Sequence, residues 1–126
     1  MEEQKTQPTV IPYLILPQAE KFFDFVKIVF NGEEIGRFLN DDGTLMHGEI
    51  NIGNSLIMFG RSTDQWEPQP AGLYVNVENA DETFKKALDN GATVVHEVAD
   101  KEYGRTGGVK DPFGNTWWIV SQNKQK

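Results

Sequence analysis

Apolar positions along the chain follow two rhythms, an alternating one that predicts strands and a three-to-four spacing that predicts helices. Val10-Ile11-Pro12-Tyr13-Leu14-Ile15-Leu16 is a near-continuous apolar run and predicts a strand, with Pro12 near its start where a missing N–H is tolerated. Ala19, Phe22, Phe23, Val26 and Phe30 recur at helical spacing, and Asn31-Gly32 closes that helix with residues that accept a left-handed cap. Residues 34–39 predict a strand, Asn40-Asp41-Asp42-Gly43 a turn, 45–52 a second strand and 55–59 a third, reversed at Gly53-Asn54. The segment 61–71, with Ser62, Thr63, Asp64, Pro68 and Pro70, breaks the rhythm and reads as a connecting loop.

The same order then begins again. Residues 72–77 predict a strand, and Asn79 with Glu82 forms a capping box ahead of a narrow helical stripe of Phe84, Ala87 and Leu88. Asn90-Gly91 ends that helix; strands follow at 92–98, 107–111 and 116–121, the last after a Gly114-Asn115 turn. Both helices close on Asn-Gly and both final hairpins contain Gly-Asn, at offsets of 59 and 61 residues. The chain therefore reads as two βαβββ modules, 10–60 and 72–121, forming one α+β domain over 10–121 between a frayed segment 1–9 and a polar tail 122–126. Pairing the modules would create a curved mixed sheet whose concave face is the natural place for a ligand.

Composition narrows the function classes. Of 126 residues, 38% are hydrophobic and 11% aromatic, enough for a packed core. No apolar run approaches the roughly 20 residues of a membrane span, and Met1-Glu2-Glu3-Gln4-Lys5 lacks the basic-then-apolar pattern of a signal peptide. The expected location is the cytoplasm. Cysteine is absent, which excludes disulfides, Cys-ligated zinc and a thiol nucleophile. The net charge of −7 is spread evenly, −4 over residues 1–63 and −3 over 64–126, and speaks against a nucleic-acid partner.

The doubled βαβββ order, with Asp111-Pro112-Phe113-Gly114-Asn115 before the last strand, resembles the glyoxalase/bleomycin-resistance/dioxygenase (vicinal oxygen chelate) superfamily over roughly residues 10 to 121. Pro12-Tyr13-Leu14, Met46-His47-Gly48-Glu49 and Tyr103-Gly104-Arg105 look closest to its PhnB-like branch. The resemblance implies metal ligands on the first and last strands of each half, which here fall within Ile11 to Tyr13, at or beside Ile57, within Gly72 to Tyr74, and at Trp118. Neutral phenols are poor ligands for a divalent cation and an indole is none. The expectation is no metal and no cofactor, and hence a binding protein akin to the superfamily's metal-free, drug-sequestering members.

Individual residues carry that expectation. His47 and Glu49 share one strand face, about 6.5–7 Å apart along the chain, and could serve as base and orienting carboxylate, as a ligand contact, or as a solvent-facing pair. Adjacent Trp117 and Trp118 face opposite ways, and the repeat favours Trp118 for the cavity. Trp66 reads as a cavity cover or a dimer contact, Tyr13 and Tyr74 as further lining, and Tyr103 with Arg105 as a loop pair that could clamp an anion or simply lie at the surface. Lys110 beside Asp111 reads as a surface pair, and His96 as structural or exposed. Gly107-Gly108 is no phosphate loop and no nucleophile elbow is present. The expected partners are an aromatic or cationic small molecule and a second copy of the chain, Phe22, Phe23 and Trp66 offering apolar contact surface. The alternatives are a lyase or isomerase using His47 and Glu49, with or without an unusual metal, and a scaffold dimer whose cavity is filled by its own aromatics.

Overall fold

The computed structural model describes residues 7–122, so most of the expected frayed segment and polar tail lie outside the described residues. The first repeat comprises strand β1 (Tyr13–Leu16), helix α1 (Ala19–Phe30), and strands β2 (Glu33–Leu39), β3 (Leu45–Ile52) and β4 (Ser55–Arg61). The second comprises β5 (Gly72–Asn76), α2 (Ala80–Asp89), β6 (Thr93–Lys101), β7 (Gly104–Lys110) and β8 (Thr116–Gln122). Each repeat builds its own four-stranded mixed sheet, in the orders β1-β4-β3-β2 and β5-β8-β7-β6. The expected α+β plan of two βαβββ units is thus the observed one, with the strands divided between two sheets.

Local differences from expectation follow from backbone chemistry. Strand β1 starts at Tyr13 rather than Val10, because Pro12 has no N–H to enter the ladder; its carbonyl still accepts from Met58 N at 3.0 Å. Strand β6 runs on to Lys101 and β7 starts at Gly104, so Tyr103 lies in a tight hairpin turn and Arg105 on a strand. The two Asn-Gly helix ends also differ: Asn31 itself adopts φ 58, whereas at the second end Asn90 has φ −111 and Gly91 takes the positive angle, φ 103. The Asn79 side chain caps α2 by accepting from Glu82 N at 3.1 Å.

Helix α1 buries seven residues, Ala19, Phe22, Phe23, Phe25, Val26, Val29 and Phe30, where one sheet would require a narrower stripe. The excess is used on the second repeat. Phe22 meets Phe59 of β4 with ring centroids 4.9 Å apart and Phe113 of the β7–β8 loop at 5.6 Å, and Phe30 meets Trp117 of β8 at 4.4 Å. The 61–71 segment is tied down as well, since Gln69 and Ile15 exchange backbone hydrogen bonds at 2.7 and 3.2 Å.

Asp111 is the main correction to the sequence reading. It is not a surface partner of Lys110 but is buried, accepting from Phe113 N, Asn115 N and Asn115 Nδ2, each at 2.9 Å, and from Trp117 Nε1 at 2.8 Å. Asn115 in turn accepts from Ala71 N at 2.9 Å, which fastens the start of the second repeat to its last hairpin. Asp111→Ala would leave several buried donors unpaired at about 1–3 kcal/mol each, so a loss of about 3–5 kcal/mol is expected in urea denaturation, with Asp111→Asn falling between.

A second stability test concerns acid. Glu34 is held at about 2, below its ordinary 4.5, first by hydrogen bonds from Arg37 and then by one from Lys27, which lies at 2.8 Å. A depressed carboxyl stabilises the fold above its unfolded pKa and loses that contribution as pH falls through its folded value. The stability gap between wild type and Glu34→Gln should therefore stay constant above pH 4.5 and close as pH is lowered from 4.5 to about 2.

Candidate functional site

Each sheet turns one face to the helices and the other outward, and strand alternation sorts the side chains. On the first sheet Leu14, Leu16, Ile50, Ile57 and Phe59 belong to the core, while Tyr13, His47, Glu49 and Met58 take the other face. On the second sheet Trp117 and Ile119 are core, and Trp118 emerges outward at 37% exposure.

Strand register aligns the two outer faces. Tyr13 pairs with Met58, and Met58 with Glu49, across β1-β4-β3. In the second sheet Tyr74 pairs with Trp118, Trp118 with Gly108, and Gly108 with His96. Of the positions at or beside Ile57, the register thus makes Met58 the equivalent of Trp118, since Ile57 is 5% exposed and faces the core. The Gly-Asn match misleads by one residue because the hairpins differ. Ile52 pairs with Ser55 across two residues, with Gly53 at φ 59, whereas Lys110 pairs with Thr116 across five. A slip of one reverses the face.

Glycines let aromatic rings lie down on these faces. A Cβ at Gly108 would stand 2.5 Å from Trp118 Cζ3, one at Gly60 3.1 Å from Tyr13 Oη, and one at Gly36 2.9 Å from Phe38 Cε2. The indole therefore rests on bare β7 backbone with its other side uncovered, beside exposed Tyr74.

The polar residues gather on the first sheet. His47 Nε2 lies 2.9 Å from Glu49 Oε2, and His47 Nδ1 lies 3.2 Å from Tyr13 Oη. The Phe38 ring packs beside the imidazole, centroids 5.7 Å apart. Residue types and spacing point to His47 and Glu49, but nothing along the chain signals Tyr13 as their partner 34 positions away, nor Phe38. Tyr13 and Trp66 line one open cleft of about 920 Å³, with Met46, Gly60 and Arg61. Trp66 stands exposed at its rim, on a loop closed by Thr63, whose Oγ1 accepts from Trp66 N at 3.1 Å.

Other candidates lie apart from this group. Arg105 donates to Asp81 at 2.7 and 3.2 Å and to Asp100 at 3.0 Å, and these contacts, Asp81 first, raise its pKa further. Its donors bind the hairpin to α2. Tyr103 is exposed in the β6–β7 turn, and exposed His96 contacts the Glu97 carbonyl at 2.8 Å. No strand of one sheet pairs with a strand of the other, so the His47 group and Trp118 lie on different sheets.

Among the positions where the resemblance implies metal ligands, the outward-facing residues on the paired strands are a phenol (Tyr13), a thioether (Met58), a second phenol (Tyr74) and an indole (Trp118). That donor set does not fit a divalent cation of the zinc, nickel or manganese kind, which takes imidazole or carboxylate. Among the described residues no three His, Asp or Glu side chains converge on one point.

This pairing of two βαβββ units is the architecture of a known superfamily, and the sequence matches its family model over residues 9–119: the chain belongs to the glyoxalase/bleomycin resistance protein/dioxygenase superfamily. It is 31% identical over 123 residues to the uncharacterized protein Rv0887c of Mycobacterium tuberculosis, covering 88% of this chain and 72% of that one. Among solved structures, the PhnB protein of Bacillus cereus, a putative 3-demethylubiquinone-9 3-methyltransferase, superposes with a TM-score of 0.73 at 19% identity, covering 90% and 99% of the two chains. TnmS3, an antibiotic binding protein from Streptomyces sp. CB03234, superposes with a TM-score of 0.67 at 14% identity, covering 94% and 100%. No described helix is long and apolar enough to cross a membrane.

The contact between Trp118 and Gly108 is open to a direct check. In a Trp66→Phe background, Gly108→Ala should lift the indole off β7, raise its acrylamide quenching, and cost about 1–3 kcal/mol of stability.

Proposed function

We propose that the protein binds an aromatic small molecule without a metal, as a cytoplasmic homodimer in which the two modules, 10–60 and 72–121, act as one unit. Trp118 supplies the apolar wall, extended by Tyr74, and His47 with Glu49 supplies the polar end. The single observation that carries this reading is the uncovered indole lying on Gly108 beside Tyr74. An aromatic face left bare on a glycine-lined strand is a stacking surface without an intramolecular occupant.

The division of the site between two sheets supports the dimer. In one chain the aromatic wall and the polar end lie on different sheets, and Tyr13, Phe38, Met46, Tyr74 and Trp118 all remain exposed. Apposing the first sheet of one protomer to the second sheet of its partner encloses both components in one cavity and covers this surface. The antibiotic-binding description of TnmS3 supports the ligand class by likeness of fold. The net charge of −7 attracts cationic rings in particular.

Tryptophan fluorescence titration with aromatic cations, aromatic acids and glycopeptide drugs tests the reading. Stacking on the indole contributes on the order of 1 kcal/mol beyond area burial, so Trp118→Ala should weaken binding more than Glu49→Gln. Affinity for cations should fall as salt rises. Absence of quenching by every class, or identical quenching in Trp118→Phe, would reject the binding site. A sedimentation profile showing only a 14.3 kDa species at micromolar concentration would reject the dimer.

A further inference from the structure

The Tyr13–His47–Glu49 contacts have a definite direction. A carboxylate only accepts, so the 2.9 Å contact places a proton on His47 Nε2. In the neutral imidazole Nδ1 then holds the lone pair, and the phenol 3.2 Å away donates to it. The Tyr13 oxygen keeps its own lone pairs, in a half-exposed ring lining the cleft shared with Arg61 and Trp66. Gly60 makes room for that oxygen, since a Cβ there would stand 3.1 Å from it. The side chains in contact with the imidazole are Tyr13 of β1, Phe38 of β2 and Glu49 of β3.

We infer that this trio is a proton relay that takes the proton of a phenolic hydroxyl on the bound aromatic ligand and holds the ligand as its phenolate. The ligand O–H donates to Tyr13 Oη. As that proton moves to Tyr13, the Tyr13 proton moves to His47 Nδ1, and the phenolate stays hydrogen-bonded to the re-formed Tyr13 hydroxyl. One O–H bond of the ligand is lost, one N–H bond is gained, and no electron leaves either partner. The imidazolium is balanced by the Glu49 carboxylate, a charge-assisted contact of the stronger kind. The same cleft carries Arg61 together with the carboxylates of Asp42 and Asp64, so the proton's acceptor is the His47–Glu49 pair and not a positive surround. The inference deepens the aromatic-binding reading and rests on it.

The probe is para-nitrophenol, whose phenolate has its own absorption band, with para-nitroanisole as the analogue lacking the proton. Measurements are made on the full chain below the phenol's own pKa, where most of the free compound is neutral. Calorimetry in two buffers of different ionisation heat reads binding and proton release; absorbance reads ionisation. The bound phenolate-to-phenol ratio should exceed that of free solution by about tenfold, equivalent to one pKa unit. The proton stays on the protein, so release to buffer should be close to zero. Tyr13→Phe should weaken para-nitrophenol binding more than para-nitroanisole binding and return the bound ratio to its free value, and Glu49→Gln should lower the ratio as well. Binding of both compounds without the phenolate band overturns the relay alone. So does a band that survives Tyr13→Phe, or one proton released per ligand, the mark of simple phenolate capture. Absence of binding by either compound overturns the relay together with the aromatic-binding reading.

Discussion

Helix α1 carries more apolar surface than one four-stranded sheet can cover, and the arrangement of the molecule follows from where the surplus goes. Phe22, Phe23 and Val26 serve the first sheet, while Phe25, Phe30 and the second edge of Phe22 reach Phe113 and Trp117 of the other repeat. Two modules that are each incomplete on their helical side become one core. Their opposite faces are left outward, and those faces carry the chemistry.

The β7–β8 loop decides which way the last strand faces. Asp111 gathers four donors within five residues of chain and fixes the entry of β8, so that Trp117 turns inward onto Phe30 and Trp118 outward onto Gly108. A buried carboxylate whose acceptor capacity is met by backbone, amide and indole donors is costly to disturb. The aromatic wall of the proposed site therefore depends on a cluster on the far face of the same strand.

At the outward positions where the resemblance implies metal ligands, this chain has two phenols, a thioether and an indole. The polar chemistry is instead set one strand further in, at His47 and Glu49 of β3, with Tyr13 brought over it from β1 across β4. Such a group can accept hydrogen bonds and, in the proposed relay, pass a proton from Tyr13 to His47.

The repeat, the helix stripes, the turns and the His47–Glu49 pair are legible along the chain, because each rests on neighbours a few positions apart under a period of 2 or 3.6. The presence of two modules follows from that same local order. What the chain alone leaves open is set by long-range packing. Lys110-Asp111 looks like a surface pair until the fold brings Asn115 and Trp117 around the carboxylate. Gly53-Asn54 and Gly114-Asn115 look equivalent until the strand registers show hairpins of two and five residues, a difference that makes Met58, beside Ile57, the counterpart of Trp118 in the first repeat. Tyr13 joins His47 only because β1 and β3 flank β4 and Gly60 has no side chain to keep the phenol away. Local spacing determines which residues share a face; only the register of distant strands determines which faces, and which residues on them, meet.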